Sequence, residues 1–156
     1  MSTSFHLLGG QNHSLQKGFF VVNFSKMYNH TLYLLYWLVS FCVFYLASFF
    51  FPSHFVLGNW KYTDLEAAIY SSFWLVVFVW VVWDFLLSRG IKFKDDLVTW
   101  FYFWMVNSAG IWLVAKMAKL LGLGISSWYW AVGVGFFVNF FQRLAFKLVT
   151  RRNLGS

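Results

Sequence analysis

Two side chains of opposite charge, Asp84 and Arg143, stand inside otherwise apolar stretches of this 156-residue chain. A charge within hydrocarbon costs roughly 2.5–3.5 kcal/mol on insertion scales, so each needs a partner or a task. An Asp84–Arg143 ion pair would share the cost; direct contact with a transported substrate is the sharper alternative. Asn107 falls in a third apolar stretch and Asn139 at similar depth in the stretch that holds Arg143, with Ser40 and Ser108 as possible members of the same seam. Amides there can hydrogen-bond across helices, a contact that contributes about 0.6 kcal/mol on average, or line a polar path; helix packing is the expected role. Arg89, Lys92 and Arg143 are the cations placed to attract a phosphate or lipid headgroup. Ala131, Gly133 and Gly135 form a small-residue stripe, and Gly110 offers another place where helix backbones can approach closely.

Other chemistry is disfavoured by what these residues lack. His6, His13, His30 and His54 have no metal-ligand spacing, and the single cysteine, Cys42, offers neither an intrachain disulfide nor a metal framework. A packed, inert thiol is its expected state. Asp95-Asp96 follows a basic run and opens an apolar stretch, where acids suit a helix N-terminus. Gly122-Leu-Gly124 reads as a turn, since a glycine pair without a flanking strand makes no phosphate loop. No nucleophile has an adjacent base. The expectation is a protein without catalytic residues, metal or cofactor.

The elements that carry these residues follow from length and composition. Hydrophobic residues make up 60% of the chain and charged residues 11%, against about 25% charged in ordinary soluble domains. Thr31–Phe51 runs without one formal charge and is stopped by Pro52, the only proline. At about 1.5 Å per residue, such a run matches a hydrocarbon core roughly 30 Å thick. Further spans are expected near Leu65–Leu87, Leu97–Ala115 and Trp128–Leu148. The reading is an all-α membrane protein of four transmembrane helices: residues 1–30 a cytoplasmic or interfacial arm with an amphipathic segment over Lys17–Tyr28, 31–148 the membrane domain, 149–156 a basic tail. The first thirty residues lack the pattern of a cleaved leader, so the first span is expected to act as the insertion signal.

Nine Lys and Arg lie on the side that holds both termini and the 88–96 connection, and three (Lys61, Lys116 and Lys119) on the other. The positive-inside rule then puts both termini in the cytoplasm of a cell-membrane protein. The net charge of +7 is spread along span ends and suits anionic lipid at that face; it makes no single patch for nucleic acid. Trp100, Trp104, Trp128 and Trp130 sit near span ends, while Trp74 and Trp80 lie deeper and are expected to pack. The halves also repeat. Tyr36-Trp-Leu-Val39 and Phe103-Trp-Met-Val106 each head an apolar span, followed by a polar outer loop and a second aromatic-rich span, the pattern of two hairpins in parallel orientation.

The run Met105-Val-Asn-Ser-Ala-Gly-Ile-Trp-Leu-Val-Ala-Lys116, with Leu123-Gly-Ile-Ser-Ser127 and Trp130-Ala-Val-Gly-Val-Gly-Phe-Phe-Val-Asn139, resembles the small four-span proteins grouped as phage holin family 4. The proline usual there after the closing Asn is replaced by Phe140. Asp84-Phe-Leu-Leu-Ser-Arg-Gly-Ile-Lys-Phe93, echoed by Asn139-Phe-Phe-Gln-Arg143, is similar to span endings of GtrA-like polyprenyl-phosphate-sugar translocases, with Asp in place of Asn in the first copy. The first resemblance implies a holin-like or structural protein that oligomerises through its helices. The second implies a lipid-linked-sugar flippase with Arg89 or Arg143 on the phosphate. A third reading is an accessory subunit that presents its aromatic surface to a membrane-protein partner.

Overall fold

The computed structural model describes residues 10–90 and 96–154. Its order is α1 (Gly10–Phe50), β1 (Phe55–Leu57), α2 (Asp64–Ser88), α3 (Asp96–Lys116), α4 (Ala118–Leu121), β2 (Leu123–Ile125) and α5 (Trp128–Leu154). The chain divides into two units, residues 1–34 and 35–156. In the first, residues 10–34 are helix, so the segment read as an arm is helical from Gly10 onward. The contacts described below belong to the second.

Four helices carry stretches long and apolar enough to cross a membrane: His30–Phe50, Asp64–Leu86, Asp96–Lys116 and Trp128–Val149. Each lies within a residue or so of the span expected from composition. Their ends have local causes. Pro52, which has no N–H to continue the ladder, follows the last turn of α1. α2 opens on a capping box: the Thr63 N–H and hydroxyl both donate to Glu66 Oε2 at 2.9 Å, and the Glu66 N–H returns to Thr63 Oγ1 at 3.4 Å. α3 starts on Asp96 and ends on Lys116, each charge suited to its end of the helix dipole. α4 closes on Gly122, whose φ of 79° is left-handed and whose N–H bonds the Ala118 carbonyl. A Cβ on Gly122 would stand 2.6 Å from that of Ala67.

The all-α expectation needs one addition. β1 and β2, from the connections after the first and third spans, pair antiparallel with Phe55 opposite Ile125, Val56 opposite Gly124 and Leu57 opposite Leu123. Strand alternation turns Phe55 and Leu57 into the core and leaves Val56 exposed. A side chain ties the same two connections. Asn59 Oδ1 accepts from the Lys61 and Tyr62 N–H groups at 2.9 Å, while its Nδ2 donates to the carbonyls of Ala118 and Lys119 at 3.2 and 3.1 Å.

Below this pair the helices close on one another. α1 meets α2 where Trp37 Nε1 donates to the Ile69 carbonyl and its ring meets Phe73 edge-on. α2 meets α3 through Trp83 and Phe103, ring centroids 5.2 Å apart. α3 packs closely on α5, and α5 returns to α1 through Gln142 and Ser40. The core holds Phe44, Phe55, Leu75, Ile111, Leu123 and Val138, all fully buried.

Polarity is distributed inside out. Ser40, Ser71, Ser72, Asn107, Ser108, Asn139 and Gln142 are buried, whereas Phe49 is 74% exposed, Trp128 67% and Met105 65%. In water so much exposed apolar surface would drive association; in lipid it is the solvated side. Trp74, expected to pack, is half exposed on this side. Cys42 is exposed as well rather than packed.

Candidate functional site

Lipid tails are as apolar as leucine, so apolar burial gives helices little reason to meet, and hydrogen bonds with close backbone packing decide where they do. Three helices converge on one amide. Gln142 of α5 accepts from Asn107 Nδ2 of α3 at 3.2 Å and donates from Nε2 to Ser40 Oγ of α1 at 3.1 Å. The Ser40 hydroxyl in turn donates to the Tyr36 carbonyl one turn back, at 2.8 Å. All three side chains are buried, and Asn107 Oδ1 has no hydrogen-bond partner among the described residues. Asn139, one turn from Gln142, donates to the Trp100 carbonyl of α3 at 3.1 Å. Both asparagines therefore bond across helices, but to other partners rather than to each other.

The α3–α5 contact is set by a glycine. A Cβ on Gly135 would stand 2.5 Å from Ser108 Oγ and 2.9 Å from the Ser108 Cα and N. Ser108 folds its hydroxyl back to the Trp104 carbonyl at 2.8 Å, leaving that face flat, and Trp104 Nε1 reaches the Val132 carbonyl at 3.0 Å. Ala131 is buried on the same helix. Gly133 does not belong to the contact, because a Cβ there would meet nothing within 4 Å. Gly110 faces the opposite neighbour, where a Cβ would lie 2.6 Å from Leu75 Cδ1 and 2.9 Å from Phe78 Cδ1 of α2.

The charges are arranged differently from the expected Asp84–Arg143 pair. Arg143 Nη2 bonds Asp96 Oδ2, and its Nη1 lies 3.4 Å from the Asp96 carbonyl. The reason is neighbourhood: α5 packs against α3, so its cation meets Asp96 at the start of α3 and not Asp84 of α2. The pair stands at a helix end with Asp96 83% exposed, a setting in which an ion pair contributes about 0–1 kcal/mol. Asp84 is exposed near the end of α2. Arg89 sits one turn on, with its guanidinium 5.2 Å from the Phe85 ring centroid. Lys92 and Asp95 lie outside the described residues.

Two structural residues, Gln142 and Asn59, were not read from the sequence. Gln142 shares a helical face with Asn139, three positions earlier, and that spacing was the available signal. Asn59 follows the left-handed Gly58 in a turn, a site that favours side-chain bonds to nearby N–H groups. Trp130 packs on Phe51 at 4.9 Å and nearly parallel to His54 at 4.7 Å, with its buried Nε1 lacking an acceptor among the described residues. Among the described residues no three His, Cys, Asp or Glu groups gather as metal ligands.

Helix length, apolar exterior and a hydrogen-bonded polar interior together fit an integral, multi-pass membrane protein. No protein-family model matches the chain, and no curated protein or solved structure matches it either.

Proposed function

We propose that this chain is a small non-enzymatic membrane protein, structural or holin-like, that acts by associating through its helices. The observation carrying this reading is where its polar side chains point. Ser40, Asn107, Asn139 and Gln142 bond helix to helix, and Arg143 bonds Asp96, so none of these groups lines an open path within one chain. The outward face is instead a field of large apolar side chains, among them Leu38, Trp74, Val81, Met105 and Phe137. Such a face suits lipid, a second copy or a partner helix. Both termini belong on the cytoplasmic face of the cell membrane in this reading, where anionic lipid would meet the basic span ends.

The chain is further read as two hairpins in parallel orientation. Trp37 and Trp104 make the same bond, indole N–H to a carbonyl of the next spanning helix. Ser40 and Asn107, at equal spacing from those tryptophans, are the two partners of Gln142. Phe44 and Ile111, one turn further, are both fully buried. β1 and β2 then pair where the two connections meet.

The mass of the purified protein in mild detergent and in lipid discs tests the association. Two or more chains per particle, unchanged on tenfold dilution, is the expected result. A single chain at every dilution overturns it. Dye release from vesicles separates a pore-forming assembly from a purely structural one.

A further inference from the structure

Where α1 ends, β1 begins and α2 starts, a half-open cavity of about 280 Å³ is lined by Tyr45, Ser48, Phe49, Pro52, Leu57 and Asp64. It lies at the end of one span and the beginning of the next, which is the depth of lipid headgroups. Its size falls just below the roughly 300–1,000 Å³ of pockets that take drug-sized ligands. From this site we infer a seat for the primary ammonium of an aminophospholipid headgroup of the ethanolamine type.

The chemistry of the lining selects a cation. Asp64 is the sole formal charge around the cavity, and no ion pair reaches it among the described residues. Lys61, close by in sequence, holds its ammonium 5.0 Å from the Tyr62 ring centroid instead. Tyr45 and Phe49 are one helical turn apart and present aromatic rings, whose faces attract ammonium groups. A primary ammonium has three N–H donors and no acceptor. Among the lining residues Asp64, Ser48 and Tyr45 are the ones whose side chains can accept from them. A quaternary ammonium cannot donate, and an anion is repelled by Asp64. Phe49 and Phe50 are largely exposed beside the cavity, where acyl chains pass; this favours a lipid over a free amine.

The second half of the chain carries an internal precedent. Trp112 and Lys116 occupy the positions equivalent to Tyr45 and Phe49 in the two-hairpin reading, and the Lys116 ammonium lies 4.9 Å from the Trp112 ring centroid. There the chain supplies its own ammonium over the aromatic ring. In the first half Phe49 replaces that lysine, so the ammonium comes from outside. This comparison rests on the repeat, whereas the cavity and its carboxylate do not.

Native mass spectrometry of the full chain, released from detergent doped in turn with phosphatidylethanolamine, phosphatidylcholine or phosphatidylglycerol, tests the assignment. Phosphatidylethanolamine is expected to be retained about tenfold better than phosphatidylcholine, consistent with one charge-assisted hydrogen bond. Asp64→Asn should remove that preference and leave phosphatidylglycerol retention unchanged. Phe49→Lys should exclude phosphatidylethanolamine by placing an ammonium where Lys116 has one, while the helical circular dichroism of the parent chain is retained. Equal retention of the ethanolamine and choline lipids, or undiminished phosphatidylethanolamine on Asp64→Asn, overturns the proposal. Displacement of the lipid by millimolar free ethanolamine overturns the lipid as the source.

Discussion

At the residue scale, the amide of Gln142 is the point on which three helices agree. Removing one partner of a buried hydrogen bond leaves the other unsatisfied, whereas removing both with side chains of similar volume is close to neutral. Gln142→Leu is therefore expected to destabilise the protein by about 1–2 kcal/mol, since Asn107 then has both ends of its amide unpaired. The double variant Asn107→Leu/Gln142→Leu should cost no more than Gln142→Leu alone. Equilibrium unfolding in sodium dodecyl sulfate measures both, and additive losses would contradict the shared bond. The charges give a second contrast. Arg143→Ala should cost less than about 1 kcal/mol, as befits an exposed pair, whereas breaking a buried pair costs roughly 3–5 kcal/mol. In a double-mutant cycle Arg143→Ala should couple to Asp96→Asn and act independently of Asp84→Asn.

At the element scale, the small-residue stripe separates into one position that sets a helix contact and one that does not. Gly135→Ala drives a methyl into the backbone of Ser108, and backbone cannot step aside as a side-chain tip can. The α3–α5 contact must widen, stretching the Trp104–Val132 and Asn107–Gln142 bonds, for a loss of about 1–3 kcal/mol. Gly133→Ala meets open space and should be neutral or stabilise the helix by up to roughly 1 kcal/mol. Thermal unfolding of the two variants followed by circular dichroism distinguishes them; equal shifts would remove the close-approach argument. The strand pair is checked by cross-linking in a Cys42→Ser background. Val56→Cys with Gly124→Cys places two thiols directly opposite each other and should oxidise to a disulfide. Val56→Cys with Leu123→Cys should not, because a one-residue slip turns the second side chain to the other face.

At the scale of the whole molecule, the inverted distribution of polarity is the property from which the rest follows. A protein whose lipid-facing surface carries Phe49, Met105, Val81 and Trp128 requires detergent or lipid to remain dispersed. Both termini share one side of the membrane when four spans are present, and the proposed orientation, argued from the nine-to-three distribution of cations, takes that side as the cytoplasm. Protease should therefore remove an epitope fused to either end only after the cells are opened, and cleavage from outside intact cells would reverse the orientation.

Four spans, their ends within a residue or so, the stop at Pro52, the turn at Gly122 and the acid opening α3 were all legible in the chain. Each depends on local composition or backbone preference, which a single sequence carries in full. Cross-bonding asparagines were legible as a type of behaviour, because an amide in hydrocarbon must find a partner; which partner was not. That choice went to Gln142 and the Trp100 carbonyl, just as Arg143 went to Asp96 over Asp84, because the packing of α5 on α3 settles who is near. The pairing of Phe55–Leu57 with Leu123–Ile125 and the four bonds of Asn59 likewise join segments distant in the chain. Hydrophobic length selects the solvent and the number of crossings. Only the three-dimensional arrangement of the helices selects which polar groups meet, since every donor here has several chemically equivalent acceptors and distance alone separates them.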